Sequence, residues 1–92
     1  MNEQETSATV LAVSGNYAVV GLPNRRYPAL AVQGDSLKVL QEAVEELSEH
    51  LGSGDLEEAG FSLGEIRSTV ASMLSTYESA SREAGFDLPY VR

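Results

Sequence analysis

Cysteine and tryptophan are missing from this 92-residue chain, and histidine occurs once, as His50. Without cysteine there is no disulfide and no thiolate nucleophile. With a single histidine as well, a zinc-type ligand set is excluded on residue count. Basic residues are scarce: six Lys and Arg stand against 14 Asp and Glu, for a net charge of −8. No apolar run approaches the roughly 20 residues that a membrane span needs. The stretch MNEQETS lacks the basic start and apolar centre of a signal peptide. Cytoplasmic residence is therefore the default expectation. What is present, 42% hydrophobic and 22% charged residues, is the composition of an ordinary globular protein. The length suits one modest core. The expected organisation is a flexible N-terminus over residues 1–6 and a single α+β domain over 7–92.

The negative charge is concentrated in one place. Residues 1–34 balance to zero, whereas 35–60 set Asp35, Glu42, Glu45, Glu46, Glu49, Asp55, Glu57 and Glu58 against Lys38 alone. Such a surface repels a phosphate backbone, which disfavours direct nucleic-acid binding. It attracts and steers a basic protein.

From Ser7, ATVLAV reads as a strand to about Ser14, and Gly15–Asn16 offers the positive-φ residues of a tight hairpin turn. Tyr17 to Leu22 gives a second strand, and Pro23–Asn24–Arg25–Arg26 a polar loop. A third strand runs from Tyr27 or Pro28 to Gln33. Short connections predict an antiparallel meander. Neighbouring positions are apolar on both sides of these strands, so the pattern lacks the alternation of a sheet with one wet face. Either small residues tolerate exposure or the C-terminal tail lies there, or the second face is a self-association or partner surface.

Gly34–Asp35–Ser36 turns into an amphipathic helix, with Asp35 or Ser36 as the expected cap. Leu37, Leu40, Val44, Leu47 and Leu51 follow helical spacing, and Glu42, Glu45, Glu46 and Glu49 fall on the opposite side. Gly52–Ser53–Gly54 reads as a connector and Asp55–Glu58 as a single turn before Gly60. Ser62-x-x-Glu65 has the form of a capping box, with Phe61 and Ile66 placed as a hydrophobic staple. The second helix then carries Leu63, Ile66, Val70, Met73, Leu74, Tyr77, Ala80 and Ala84 as its apolar stripe and stops at Gly85. Its far side holds Ser68, Ser72, Ser75 and Ser79, which suit either an ordinary solvated helix or close approach of another backbone. The fold class that results is α+β: a three-stranded antiparallel meander followed by two helices (β-β-β-α-α), the helices packed on one face of the sheet.

No catalytic constellation is legible. The glutamates lie on one helix face, whereas carboxylate metal sites in bundles draw acids from facing helices. GSGDLEEAG lacks the alternating ligands of a calcium loop. No Gly-rich phosphate motif and no strained nucleophile turn is present. No catalytic, cofactor or metal site is expected. Arg25 and Arg26 form the one basic spot of the first half, as a solubilising loop tip or as an anchor for an acidic feature.

Residues 17–51, YAVVGLPNRRYPALAVQGDSLKVLQEAVEELSEHL, resemble the core of the HicB antitoxin family. That family's pattern is a strand, a Pro-containing turn, then P-G-x-x-x-x-G-D-[ST]-x-x-E-A and a helix. Pro28, Gly34, Asp35 and Ser36 meet it; Ala29 stands where glycine is usual, and Val39–Leu40 where Glu-Ala is usual. RRYPALAVQGDSL with LPY near the end also resembles small uncharacterised bacterial proteins, some of the kind that serve as immunity partners of secreted toxins. The resemblance implies a strand-rich layer with a helix and a protein that works by occluding a toxin.

The functional expectation is a non-enzymatic immunity protein or antitoxin that occludes a basic, nucleic-acid-acting toxin. Its partner-binding residues would be Glu42, Glu45, Glu46, Glu49, Asp55, Glu57 and Glu58. The alternative is a structural or regulatory homodimer with no toxin partner.

Overall fold

The computed structural model describes residues 7–91. Three strands, β1 (Thr9–Ser14), β2 (Tyr17–Gly21) and β3 (Ala29–Val32), precede two helices, α1 (Gly34–Ser53) and α2 (Leu56–Glu83). The strands pair antiparallel in the order β1-β2-β3. This is the expected β-β-β-α-α arrangement, with helix packed on sheet. The expected flexible segment 1–6 lies outside the described residues. The chain divides into two compact units: the three strands with the chain from Met73 onward, and Gln33–Ser72.

In the sheet unit, β1 turns into β2 through Gly15–Asn16. Gly15 supplies the positive φ (57°) that such a tight turn needs. Val19 in the central strand is completely buried and forms a core with Tyr77 and Ala80 of α2, flanked by Leu11, Ala12, Leu30 and Leu88. Two neighbouring residues of β1 reach the same core because a bulge interrupts the register between Val10 and Ala12. The extra residue breaks the two-residue period. That bulge is part of why the strands read without clean alternation.

The Tyr77 hydroxyl donates to the Pro28 carbonyl at 2.7 Å, across 49 positions of sequence, and fixes α2 to the start of β3. Tyr90 stacks on Tyr77 with centroids 6.5 Å apart, and its hydroxyl bonds the Glu78 carboxylate at 3.0 Å. The tail therefore lies on the α2 side of the sheet. It leaves the other face, with Val10 and Val13 61% and 71% exposed, uncovered by the tail. α2 stops where expected: Gly85 takes φ 85°, and the Phe86 and Gly85 amides bond the carbonyls of Ser81 and Arg82. Those are the two bonds of a Schellman cap.

The helical unit departs from the sequence reading at both helix starts. α1 begins at Gly34 with Gln33 as N-cap, and no side chain caps it. Asp35 instead sits in the first turn, where its carboxylate accepts the Ser36 amide at 2.8 Å. α2 begins at Leu56 rather than Ser62. The Asp55 carboxylate accepts the Glu58 amide at 3.2 Å, so Asp55 is the cap. Ser62 is only 5% exposed, within the helix. Gly60 weakens a helix by about 1 kcal/mol relative to alanine, which is too little to break a long one.

Only Gly54 and Asp55 separate the helices. Gly54, at φ 77°, and Asp55 return their amides to the Leu51 and His50 carbonyls. The covered residues recur along the length of both helices, from Ser36 to His50 and from Ala59 to Thr69; with so brief a connection, that pattern is the one of an antiparallel helical pair.

Candidate functional site

The geometry of the helical unit sorts its side chains into three groups. The less exposed residues of α1 are Ser36, Leu40, Ala43, Leu47 and His50; those of α2 within this unit are Ala59, Ser62, Ile66 and Thr69. Each series alternates steps of three and four, the spacing of one packed helix face. Small residues dominate where burial is greatest, at Ala43, Ala59 and Ser62.

The expected apolar stripe of α1 therefore splits. Leu40 and Leu47 lie on the packed face, while Leu37, Val44 and Leu51 remain 57%, 46% and 55% exposed. On α2 the same holds for Leu56, Leu63 and Val70, at 73%, 45% and 42%. At 3.6 residues per turn, both rows lie about a quarter-turn beyond the packed face, in the direction of increasing residue number. Because the helices are antiparallel, equal offsets bring both rows to the same side of the pair. Among the described residues that side carries no carboxylate, and its one charged group is Arg67.

The acids take the other side. Glu42, Glu46 and Glu49 of α1 and Glu58 and Glu65 of α2 are displaced the opposite way. Glu45 and Glu57 occupy the outer backs of their helices, and Asp55 lies in the turn. All seven expected partner-binding carboxylates are exposed, and none forms an ion pair among the described residues. Lys38, the nearest candidate cation in sequence, donates to the Gln41 side chain at 3.0 Å instead. Three of the seven also serve the fold. Asp55 caps α2, and Glu57 and Glu58 lie in its first turn, where the helix dipole favours negative charge.

Asp35, from the Gly34–Asp35–Ser36 turn, carries none of this surface because its carboxylate is engaged locally. Among the described residues no group of three or more His, Asp or Glu side chains is placed to hold a metal ion. No helix among the described residues is long and apolar enough to cross a membrane. Ser68, Ser72, Ser75 and Ser79 are all exposed.

The sheet unit contributes a shallow, open cleft of about 370 Å³ lined by Leu11, Leu22, Pro23, Tyr27, Pro28 and Phe86, with Arg25 as its charged member. The Arg26 guanidinium lies 5.3 Å from the centre of the Tyr27 ring, a cation–π distance. The loop arginines thus border an apolar depression. Charge counting along the sequence does not expose this feature, because Phe86 arrives from the far end of the chain.

A family model matches residues 3–90, nearly the whole chain. The chain belongs to DUF6959, a family of unknown function. No curated protein and no solved structure matches it. The DUF6959 match spans both units.

Proposed function

We propose that this DUF6959 protein is a non-enzymatic inhibitor that binds and occludes a basic protein, in the manner of an antitoxin or immunity protein. The observation that carries the reading is the unpaired acidic side of the α1–α2 pair. Residues 33–72 hold nine carboxylates against Lys38 and Arg67, and the glutamates of α1 have no internal cation partner among the described residues. Fixed on two packed helices, they form a rigid polyanionic surface of the kind that competes with a nucleic-acid backbone for a cationic cleft. The resemblance of residues 17–51 to the HicB core supports the toxin-directed form of this reading. Cytoplasmic residence goes with it.

The test is co-expression with the product of the adjacent gene, followed by association kinetics on the purified pair. Wild-type protein should relieve toxicity. A variant combining Glu42→Lys, Glu45→Lys, Glu46→Lys and Glu49→Lys should not, and its association rate should fall by about tenfold or more at low salt. Undiminished binding by a folded quadruple variant would show that the acidic side is only a solubilising exterior.

A further inference from the structure

We infer that the carboxylate-free side of the helical pair binds a second copy of the same chain, and that two such pairs close into an antiparallel four-helix bundle. The argument begins with what the Gln33–Ser72 unit lacks. Its residues below one-tenth exposure are Ala43, Ala59 and Ser62, so it buries no large apolar side chain completely. Its large apolar side chains are therefore left on the surface, where a second copy can bury them, and the absence of cysteine removes a disulfide as the means of joining two copies.

Spacing identifies the occupant. Leu37, Val44 and Leu51 recur every seven residues, as do Leu56, Leu63 and Val70. Seven-residue rows on adjacent antiparallel helices form the seam that a bundle interdigitates. Turned about a two-fold axis, the side meets an identical surface, which is how most homodimers are made. The six side chains expose on the order of 1,000 Å² over two copies, the lower limit for a specific interface.

Charge selects the same side. At a net charge of −8, two copies that met through the acidic side would bring like charges together without compensation. Among the described residues the only charge on the apolar side is Arg67, at the edge, so meeting there carries no such penalty. The dimer would turn both acidic sides outward, and its existence does not depend on what those acids bind.

The full-length protein is tested by sedimentation across the micromolar range. The expected mass is twice the 9.8 kDa of one chain. Val44→Glu and Leu63→Glu should each raise the dissociation constant about a hundredfold or more by placing an unpaired charge in the seam. Val13→Glu, on the open sheet face, should leave it unchanged. A monomeric wild type, or a dimer that only Val13→Glu disrupts, overturns the inference.

Should the glutamate variants fail to fold, single cysteines in the otherwise cysteine-free chain decide the matter. Ser48→Cys, on the apolar side, should oxidise to a covalent dimer, and Glu45→Cys, on the outer back of α1, should not. Equal cross-linking, or cross-linking from Glu45→Cys alone, overturns it.

Discussion

Tyr77→Phe removes one oxygen atom and leaves the ring, its stack on Tyr90 and the packing around Val19 in place. The lost hydroxyl donates at 2.7 Å to the carbonyl of Pro28, a buried residue. Pro28 lies just before β3, outside the ladder. A neutral hydrogen bond contributes about 1 kcal/mol net, and a buried acceptor left without a donor raises the total to about 1–3 kcal/mol. At roughly 4–8 °C per kcal/mol for a domain of this size, the melting midpoint should drop by about 4–24 °C. Urea unfolding followed by circular dichroism measures the difference. Tyr90→Phe is the internal control, because its hydroxyl bonds Glu78 at an exposed position, where the loss should stay within about 0.5 kcal/mol. If Tyr77→Phe proves no more destabilising than Tyr90→Phe, then the Tyr77–Pro28 bond does not fasten helix to sheet.

Two other perturbations act on the helices, with opposite signs. Gly60 and Gly64 are interior to α2, and a Cβ added at either meets nothing within 4 Å. Gly60→Ala and Gly64→Ala should each stabilise by about 1 kcal/mol, so a lower melting midpoint in thermal scans would mean that these glycines serve close packing. Gly54→Ala places a side chain at φ 77° and should destabilise by about 1–2 kcal/mol. Asp55→Ala removes the α2 cap and should cost about 1 kcal/mol, both measured by chemical denaturation; unchanged stability in both would leave the turn without energetic significance.

The order and type of the elements were legible because their punctuation is chemical: Gly15 at the hairpin, Gly54 and Gly85 at helix ends. Boundaries were less so. Ser62-x-x-Glu65 satisfies the capping pattern, but Asp55-x-x-Glu58 satisfies it first, and a cap works only at the end of a helix. Once Asp55 starts α2, Gly60 is a weak point inside it and Ser62 becomes a packed residue.

The leucine rows misled for a related reason. Large apolar side chains at helical spacing suggest the buried face, yet Ala43, Ala59 and Ser62 are the most covered residues of this unit, and Leu37, Val44 and Leu51 fall to the flank of the face they define. Small residues give little hydrophobic signal, so the face they define was hidden in plain composition. The acidic surface was legible because burial has little to do with it: adjacent glutamates on an exposed helix face stay where the helical period puts them. The bulge after Val10 left only a blurred alternation in the sequence, and the cleft beside Arg25 depends on Phe86, more than 60 positions along the chain.

Asp55 ends one helix and begins the next. Its amide closes the last turn of α1 on His50 while its carboxylate opens the first turn of α2 at Glu58. Such a joint has no slack: adding or deleting a residue there must break one of the two bonds. The acidic and leucine-lined sides of the pair are thereby locked in phase, so a ligand gripping one would tend to steady the other.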